Sequence, residues 1–266
     1  MVLTHGSLFT GDGGIDLGFH WAGFRTIWQV ENNAFCNRLL AARWPEVFRL
    51  TDVRDAGKHN LTTPTILTGG FPCQPYSCAN KHKQSVDDRI LWPEMFRVIE
   101  ELDPAFVLAE NVPGIGAYLD IVQADLETLG YETYPLRIPA CAFGAAFLGE
   151  RIYVVAASTS QRRIPVEIHN NTTQPSDRAQ CNSGTLRGVR TKPLAPTSQE
   201  IRDLLSSESS RTPYGFPDGV DRLTALGNSV VPQIAEEIGR MILAAECGVA
   251  KRRIGGVMPL FAEATL

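Results

Sequence analysis

Residues 69–77 read GGFPCQPYS, with Cys73 between two prolines, behind two glycines and straight after the apolar run ILT. Glycines loosen a backbone, while prolines fix it and remove donors, so this segment stops a strand abruptly. A thiol held there is either a packed small hydrophobe or a nucleophile, because thiolate attacks carbon well and can be expelled again. Two other side chains have the chemistry to assist it. Glu110, in AENVPG, ends an apolar run, where a carboxylate is costly unless it is partnered or takes up a proton. With a raised pKa it could protonate or hydrogen-bond a ring nitrogen; a helix-capping glutamate is the plainer alternative. Arg151, in ERIYVVA, opens a buried strand, either as an ion-pair partner or as a donor to a carbonyl oxygen.

A fourth segment, SLFTGDGG at residues 7–14, places a glycine-rich turn between a strand and a helix. Such a turn lets a ligand approach the backbone and leaves helix-end amides free for an anion. Glu31 follows about 20 residues later, where nucleoside-binding α/β folds place an acid on ribose hydroxyls. Asp52 ends a third strand and could take a purine amino group. The glycines do not fit G-x-G-x-x-G, which argues against a dinucleotide. Taken alone, the turn is as well explained as a structural strand-to-helix connection.

These residues must be positioned by the elements that carry them. The pattern predicts strands in VLTHGSLF, RTIWQV, VFRLTDV, PTILTGG, AFVLAENV, YETYPLRI and RIYVVAA. Helices are predicted in IDLGFHWAGF, AFCNRLLAARW, ILWPEMFRVIEEL, YLDIVQADLETLG and VPQIAEEIGRMILAAE. Strands alternating with helices argue for an α/β fold, a mostly parallel sheet with helices on both faces. Ligands then bind beyond the carboxyl ends of the strands. LGNSVVPQ, just before the last helix, holds ordinary capping residues by default.

The chain has 266 residues, 44% of them hydrophobic, and a net charge of −4, which suits one large soluble domain or a domain with a small appendage. No apolar stretch reaches the roughly 20 residues that span a bilayer, and the opening MVLTHGSLFTGDGG lacks the form of a secretory signal. None of the six cysteines forms a C-x2-C pair, so no metal site and a reducing cytoplasm are expected. Composition changes after Ser158. Up to Thr212 there is no Phe, Trp or Tyr, and eight basic residues stand against five acids. That stretch is a solvated linker or a small basic surface for phosphates.

In this order the segments resemble the cytosine-5 DNA methyltransferase family. SLFTGDGG resembles its first motif, GGFPCQPYS its Pro-Cys loop, ENV its glutamate motif, RIYVVA part of its eighth and GNSVVP its last. The resemblance covers about residues 1–157 and 214–245, and the length and the string GFPDGVDRLTALGNSVVPQ resemble short phage and prophage enzymes. It implies a Rossmann-like class I methyltransferase domain at 1–157 and 213–250, a target-recognition region at 158–212 and a tail at 251–266. The implied cofactor is S-adenosyl-L-methionine, lined by Phe9, Gly11, Gly13, Glu31, Asp52, Val53, Pro72, Leu91 and Asn228. The implied catalytic residues are Cys73, which adds to carbon 6 of cytosine, Glu110 at nitrogen 3 and Arg151 at the base carbonyl. The partner is double-stranded DNA with its target base flipped out, a monomer with no membrane or metal being expected. Residues 77–89 would close on DNA. The DNA contacts expected are Gln74, Ser77, Lys81, Lys83, Arg89, Arg162, Arg163, Arg187 and Arg190, with restriction-modification or phage self-protection as settings.

Two features depart from the family pattern. Its eighth motif usually carries Gln and two Arg at alternate positions, where this chain has Phe147, Gly149 and Arg151. The recognition region is short and lacks aromatic residues, so it is expected to be partly mobile without DNA. Three rival readings stand beside the main one: a nicotinamide-dependent oxidoreductase, a same-family RNA methyltransferase and a catalytically weak DNA-binding protein.

Overall fold

Residues 106–111, FVLAEN, alternate between two layers of apolar side chains, and this alternation organises the molecule. The computed structural model describes residues 2–72, 91–116, 118–145, 147–160 and 229–246. Seven strands, β1 (Thr4–Leu8), β2 (Arg25–Val30), β3 (Phe48–Leu50), β4 (Ile66–Gly69), β5 (Phe106–Asn111), β6 (Tyr131–Ile138) and β7 (Arg151–Ser158), form one sheet in the order β3-β2-β1-β4-β5-β7-β6. Pairing is parallel from β3 through β5, whereas β7 runs antiparallel to both β5 and β6. The expected mostly parallel sheet is present. The insertion of β7 between β5 and β6 was not readable from the pattern.

Five helices follow the predicted stretches: α1 (Gly14–Ala22), α2 (Ala34–Arg43), α3 (Trp92–Leu102), α4 (Tyr118–Thr128) and α5 (Pro232–Glu246). Asn33 caps α2 by accepting from the amides of Phe35 and Cys36, and Pro93 occupies the first turn of α3, where its missing N–H costs nothing. One layer packs Trp92, Met95, Val98, Ile99 and Leu102 of α3 and Leu119, Val122 and Leu126 of α4 against Leu67, Val107, Ala109 and Val154. The other packs Ile15, Phe19 and Ala22 of α1 and Ile234, Ala235 and Ile238 of α5 against Ile66, Phe106, Leu108, Tyr153 and Val155. Because strand side chains alternate between faces, consecutive residues of β5 serve different layers. The backbone carbonyl of Val230 lies so close to Gly14 that a Cβ there would collide with it, so the segment entering α5 fits only against a glycine.

The second layer also holds His5, wholly buried on β1. Its Nδ1 lies 3.0 Å from the Thr26 hydroxyl and its Nε2 2.8 Å from that of Thr68, and its ring stacks on Phe19. Burial lowers its pKa from 6.5 to about 3. It therefore takes up a proton on unfolding, and its contribution to stability, present above pH 6.5, is lost as pH falls toward 3. Linkage over that interval predicts that His5→Gln loses about 2 kcal/mol less than the native chain between pH 7 and pH 5. Urea unfolding at the two pH values measures this; parallel losses would assign the acid sensitivity elsewhere.

Candidate active site

Adjacent strand ends build a continuous shelf. After β1 the chain turns at Phe9 (φ 51°), Gly11 (φ 60°) and Gly13 (φ 83°), all in the left-handed region that favours glycine and that a phenylalanine rarely adopts. The Thr10 hydroxyl and amide hold this turn to the Val30 carbonyl. A Cβ on Gly11 would meet nothing within 4 Å, so its constraint is the backbone angle and the space beside it is open.

Glu31, just past β2, is buried and uses both carboxylate oxygens. Oε2 accepts from the Gly11 amide at 2.6 Å and Oε1 from the Asn33 amide at 2.7 Å. The residue expected on a ribose thus also ties the glycine turn to the start of α2; each oxygen keeps a further lone pair for a hydroxyl. Past β3, Asp52 caps a 3-10 turn at Val53–Asp55, accepting from the Arg54 amide at 2.9 Å. Val53 is buried and Asp52 half exposed. Phe9, Gly11, Gly13, Glu31, Asp52 and Val53 therefore line the ends of three neighbouring strands. An open glycine turn, a buried acid and a capped polar turn thus stand side by side along this edge of the sheet.

Beneath the shelf lies a cluster that sequence reasoning missed. Asp16 on α1 is fully buried and accepts from the Ser7 hydroxyl at 2.9 Å and the Gln29 amide at 2.8 Å. Burial raises its pKa from 3.8 to about 6, against those two hydrogen bonds. The S-x8-D spacing could have signalled it, since both residues sit inward of a strand and its following helix.

The other half of the site starts where β4 ends. Gly70 lies against Glu110: a Cβ built on it would stand 2.7 Å from Oε2. The buried Phe71 ring packs 5.2 Å from Trp92, and its carbonyl accepts from Asn111 Nδ2 at 2.9 Å. Trp92 is itself tied to α4 through Nε1 and Asp125 at 2.8 Å. The chain leading into the Pro-Cys loop is thus fixed at Phe71, and Leu91, at the start of α3, packs on the same layer.

Glu110 and Arg151 meet. β7 runs antiparallel to β5, so Arg151, at the start of its strand, reaches the edge where β5 ends. Tyr153 is the register partner of Glu110, and Arg151 Nε stands 3.1 Å from Glu110 Oε1. Burial pushes the Glu110 carboxyl up from 4.5 to about 7, against the lowering effect of Arg151. A carboxyl poised near neutrality in a polar pair can donate or accept a proton at working pH. The Tyr153 hydroxyl is buried without a hydrogen-bond partner among the described residues, and burial and the Glu110 charge both push its ionisation up.

Of the residues singled out from the sequence, Cys73, Gln74, Ser77, Lys81, Lys83, Arg89, Arg162, Arg163, Arg187, Arg190 and Asn228 lie outside the described residues, as does the region 161–228. Those described gather along one edge of the sheet. Asn111 and Gly70 were not singled out, although both fall inside quoted motifs: the Asn of ENV and the second glycine of GGFPC. Phe147, one of the departures from the eighth motif, is exposed, as is its neighbour Leu148. Among the described residues no group of His, Cys, Asp and Glu is arranged to hold a metal ion, and no helix is long and apolar enough to cross a membrane.

Residues 3–218 match the family model described as C-5 cytosine-specific DNA methylase. The type II methyltransferase M.PspPI of Psychrobacter sp. is 38% identical over 161 residues, 57% of this chain and 39% of that protein. M.AquIA of Picosynechococcus sp. is 29% identical over 231 residues, 78% of this chain and 89% of that one. A solved structure, a candidate DNA modification methyltransferase encoded within an E. coli prophage, superposes with a TM-score of 0.53 at 26% identity, covering 62% of this chain and 49% of the other. The chain spans about half the length, or less, of the first curated relatives it matches.

Proposed function

The chain belongs to the C-5 cytosine-specific DNA methylases, and from that membership we propose that it methylates carbon 5 of a flipped-out cytosine in double-stranded DNA, using S-adenosyl-L-methionine. The observation that carries the reading is the buried Glu110–Arg151 pair at 3.1 Å beside the anchored base of the Pro-Cys loop.

Cytosine is a poor nucleophile at carbon 5. The Cys73 thiolate adds to carbon 6 while Glu110 delivers a proton to nitrogen 3, which converts the ring into an enamine. Arg151 holds the base carbonyl and keeps Glu110 in place. The cofactor, when bound, would supply an electrophilic methyl group: carbon 5 would form its bond to the methyl as the methyl–sulfur bond breaks, leaving a neutral thioether. Loss of the carbon 5 proton to solvent then restores the ring double bond and expels the thiolate, and nitrogen 3 returns its proton to Glu110. Phe9, Gly11, Gly13, Glu31, Asp52, Val53, Pro72, Leu91 and Asn228 are proposed to hold the cofactor. The basic residues of 74–89 and 158–212 are proposed to hold the DNA, with 158–212 as the recognition region.

The test is transfer of labelled methyl from S-adenosyl-L-methionine to duplex DNA, with transfer RNA as the parallel substrate. Labelling of duplex DNA is expected; labelling of transfer RNA alone would move the substrate to RNA, and labelling of neither would overturn the reading. Cys73→Ser is expected to abolish both turnover and covalent trapping on 5-fluorocytosine DNA. A trapped adduct with the variant would assign the nucleophile elsewhere.

A further inference from the structure

The turn that carries Asp52 and Val53 is held in place from α3. Arg97 Nη2 donates to the carbonyl of Val53 at 3.1 Å and of Arg54 at 3.5 Å. Its other nitrogens are pinned on its own helix, Nε to Glu94 at 3.0 Å and Nη1 to Glu101 at 2.7 Å. One turn further along the same helix, Glu101 holds the chain just after the turn, its Oε2 accepting from the Lys58 amide at 3.0 Å. Gly57 lies so close to that carboxylate that a side chain there would collide with it. α3 is a firm base for this contact, since Trp92, Met95, Val98, Ile99 and Leu102 are buried.

Physical chemistry explains why the contact matters. A 3-10 turn of three residues has few internal hydrogen bonds and leaves carbonyls without partners. The Val53 carbonyl accepts one such internal bond, from the Ala56 amide at 3.1 Å, and keeps a second lone pair; Arg97 Nη2 meets it and the Arg54 carbonyl together, while the planar guanidinium keeps its other two nitrogens on Glu94 and Glu101. Glu94 and Glu101 keep the fork oriented. In the same turn the Arg54 amide fixes the Asp52 carboxylate at 2.9 Å, so the direction of that carboxylate follows the turn.

We propose that Arg97 is a positioning residue for adenine recognition. It touches neither cofactor nor DNA, but it holds the Asp52–Val53 turn at the height and angle that admit a 6-amino purine. The inference rests on the proposed use of S-adenosyl-L-methionine and adds the determinant of its base specificity. Asp52 accepts from an amino group and repels a carbonyl oxygen, so an undisplaced turn discriminates adenine from hypoxanthine.

The experiment uses the full chain and two variants, Arg97→Lys and Arg97→Met. Calorimetry gives the dissociation constants of S-adenosylhomocysteine and of its deaminated inosine counterpart. Loss of a charged hydrogen bond is expected to weaken the adenosine form about tenfold or more and to leave the inosine form nearly unchanged. The ratio of the two constants is insensitive to the fraction of folded protein, so a poorly folding variant still reports. The KM for cofactor should rise by a similar factor, with kcat at saturating cofactor and the KM for DNA held. Native binding with an unchanged ratio in both variants would overturn this inference alone. Failure of the native chain to bind either compound would overturn the cofactor reading with it.

Discussion

Gly70→Ala is expected to lower methyl transfer by about two orders of magnitude, a typical cost of a 1 Å misplacement, while cofactor affinity falls much less, by under about tenfold, because most of the proposed contacts lie on the untouched shelf of β1, β2 and β3 and only Pro72 adjoins the strained segment. The added carbon would stand 2.7 Å from Glu110 Oε2, closer than real Cβ contacts allow. Neither side can give way freely. The other carboxylate oxygen is held by Arg151 at 3.1 Å, and Glu110 is 8% exposed, so it has little room to swing. On the loop side, Phe71 is locked by Asn111 and Trp92. The strain must therefore move either the acid or the base of the Pro-Cys loop, and the proposed reaction needs both in register. Single-turnover methyl transfer and calorimetry with S-adenosylhomocysteine separate the two effects. A variant with native turnover would show that Glu110 has no fixed catalytic position.

Glu110→Gln should reduce kcat by about 10²- to 10⁴-fold, the usual contribution of a positioned general acid, and it should also change the pH profile. With a pKa raised by burial to about 7, the carboxyl is protonated below that value and ionised above it. If its proton goes to nitrogen 3, native kcat falls as pH rises through about 7, and the amide variant loses this limb. Arg151→Met provides the matching check. Removing the cation that lowers the Glu110 pKa should push the limb to higher pH. A limb that persists in Glu110→Gln would belong to another group. The same burial has a cost in stability: since the folded pKa exceeds the unfolded one, the contribution of Glu110 is full below pH 4.5 and is lost as pH rises through about 7.

The parts of this site that were legible in the sequence are those whose residue type and local setting already carry the chemistry. Glu110 ending an apolar strand and a glycine turn followed by Glu31 announce themselves within ten residues or at strand-to-strand spacing, while Cys73 between its prolines, outside the described residues, stands as a proposal. Arg151 was legible as a residue, but its meeting with Glu110 depends on β7 running backwards beside β5, and no periodicity reports strand direction. Asn111 and Gly70 were passed over because their roles are relations to distant atoms, a carbonyl 40 residues away in one case and a carboxylate in the other. Glu31 shows the opposite gap: its expected ligand role hid the two backbone amides that it already holds. The fold was legible because both layers repeat with the strand and helix periods along most of the described chain.

The dipeptide Glu110–Asn111 ends a strand whose neighbours point alternately to opposite layers. The acid therefore meets Arg151 and the amide meets Phe71 only while the count of residues in β5 is kept. Removing one residue upstream would bring Asn111 to the place that faces Arg151, and adding one would bring Glu110 to the place that faces Phe71, with an apolar neighbour filling the other place in each case. Replacement at a single position removes one contact, whereas a change of length removes both at once. In any redesign of this chain, insertions belong in its loops, and the parity of this one strand has to be preserved.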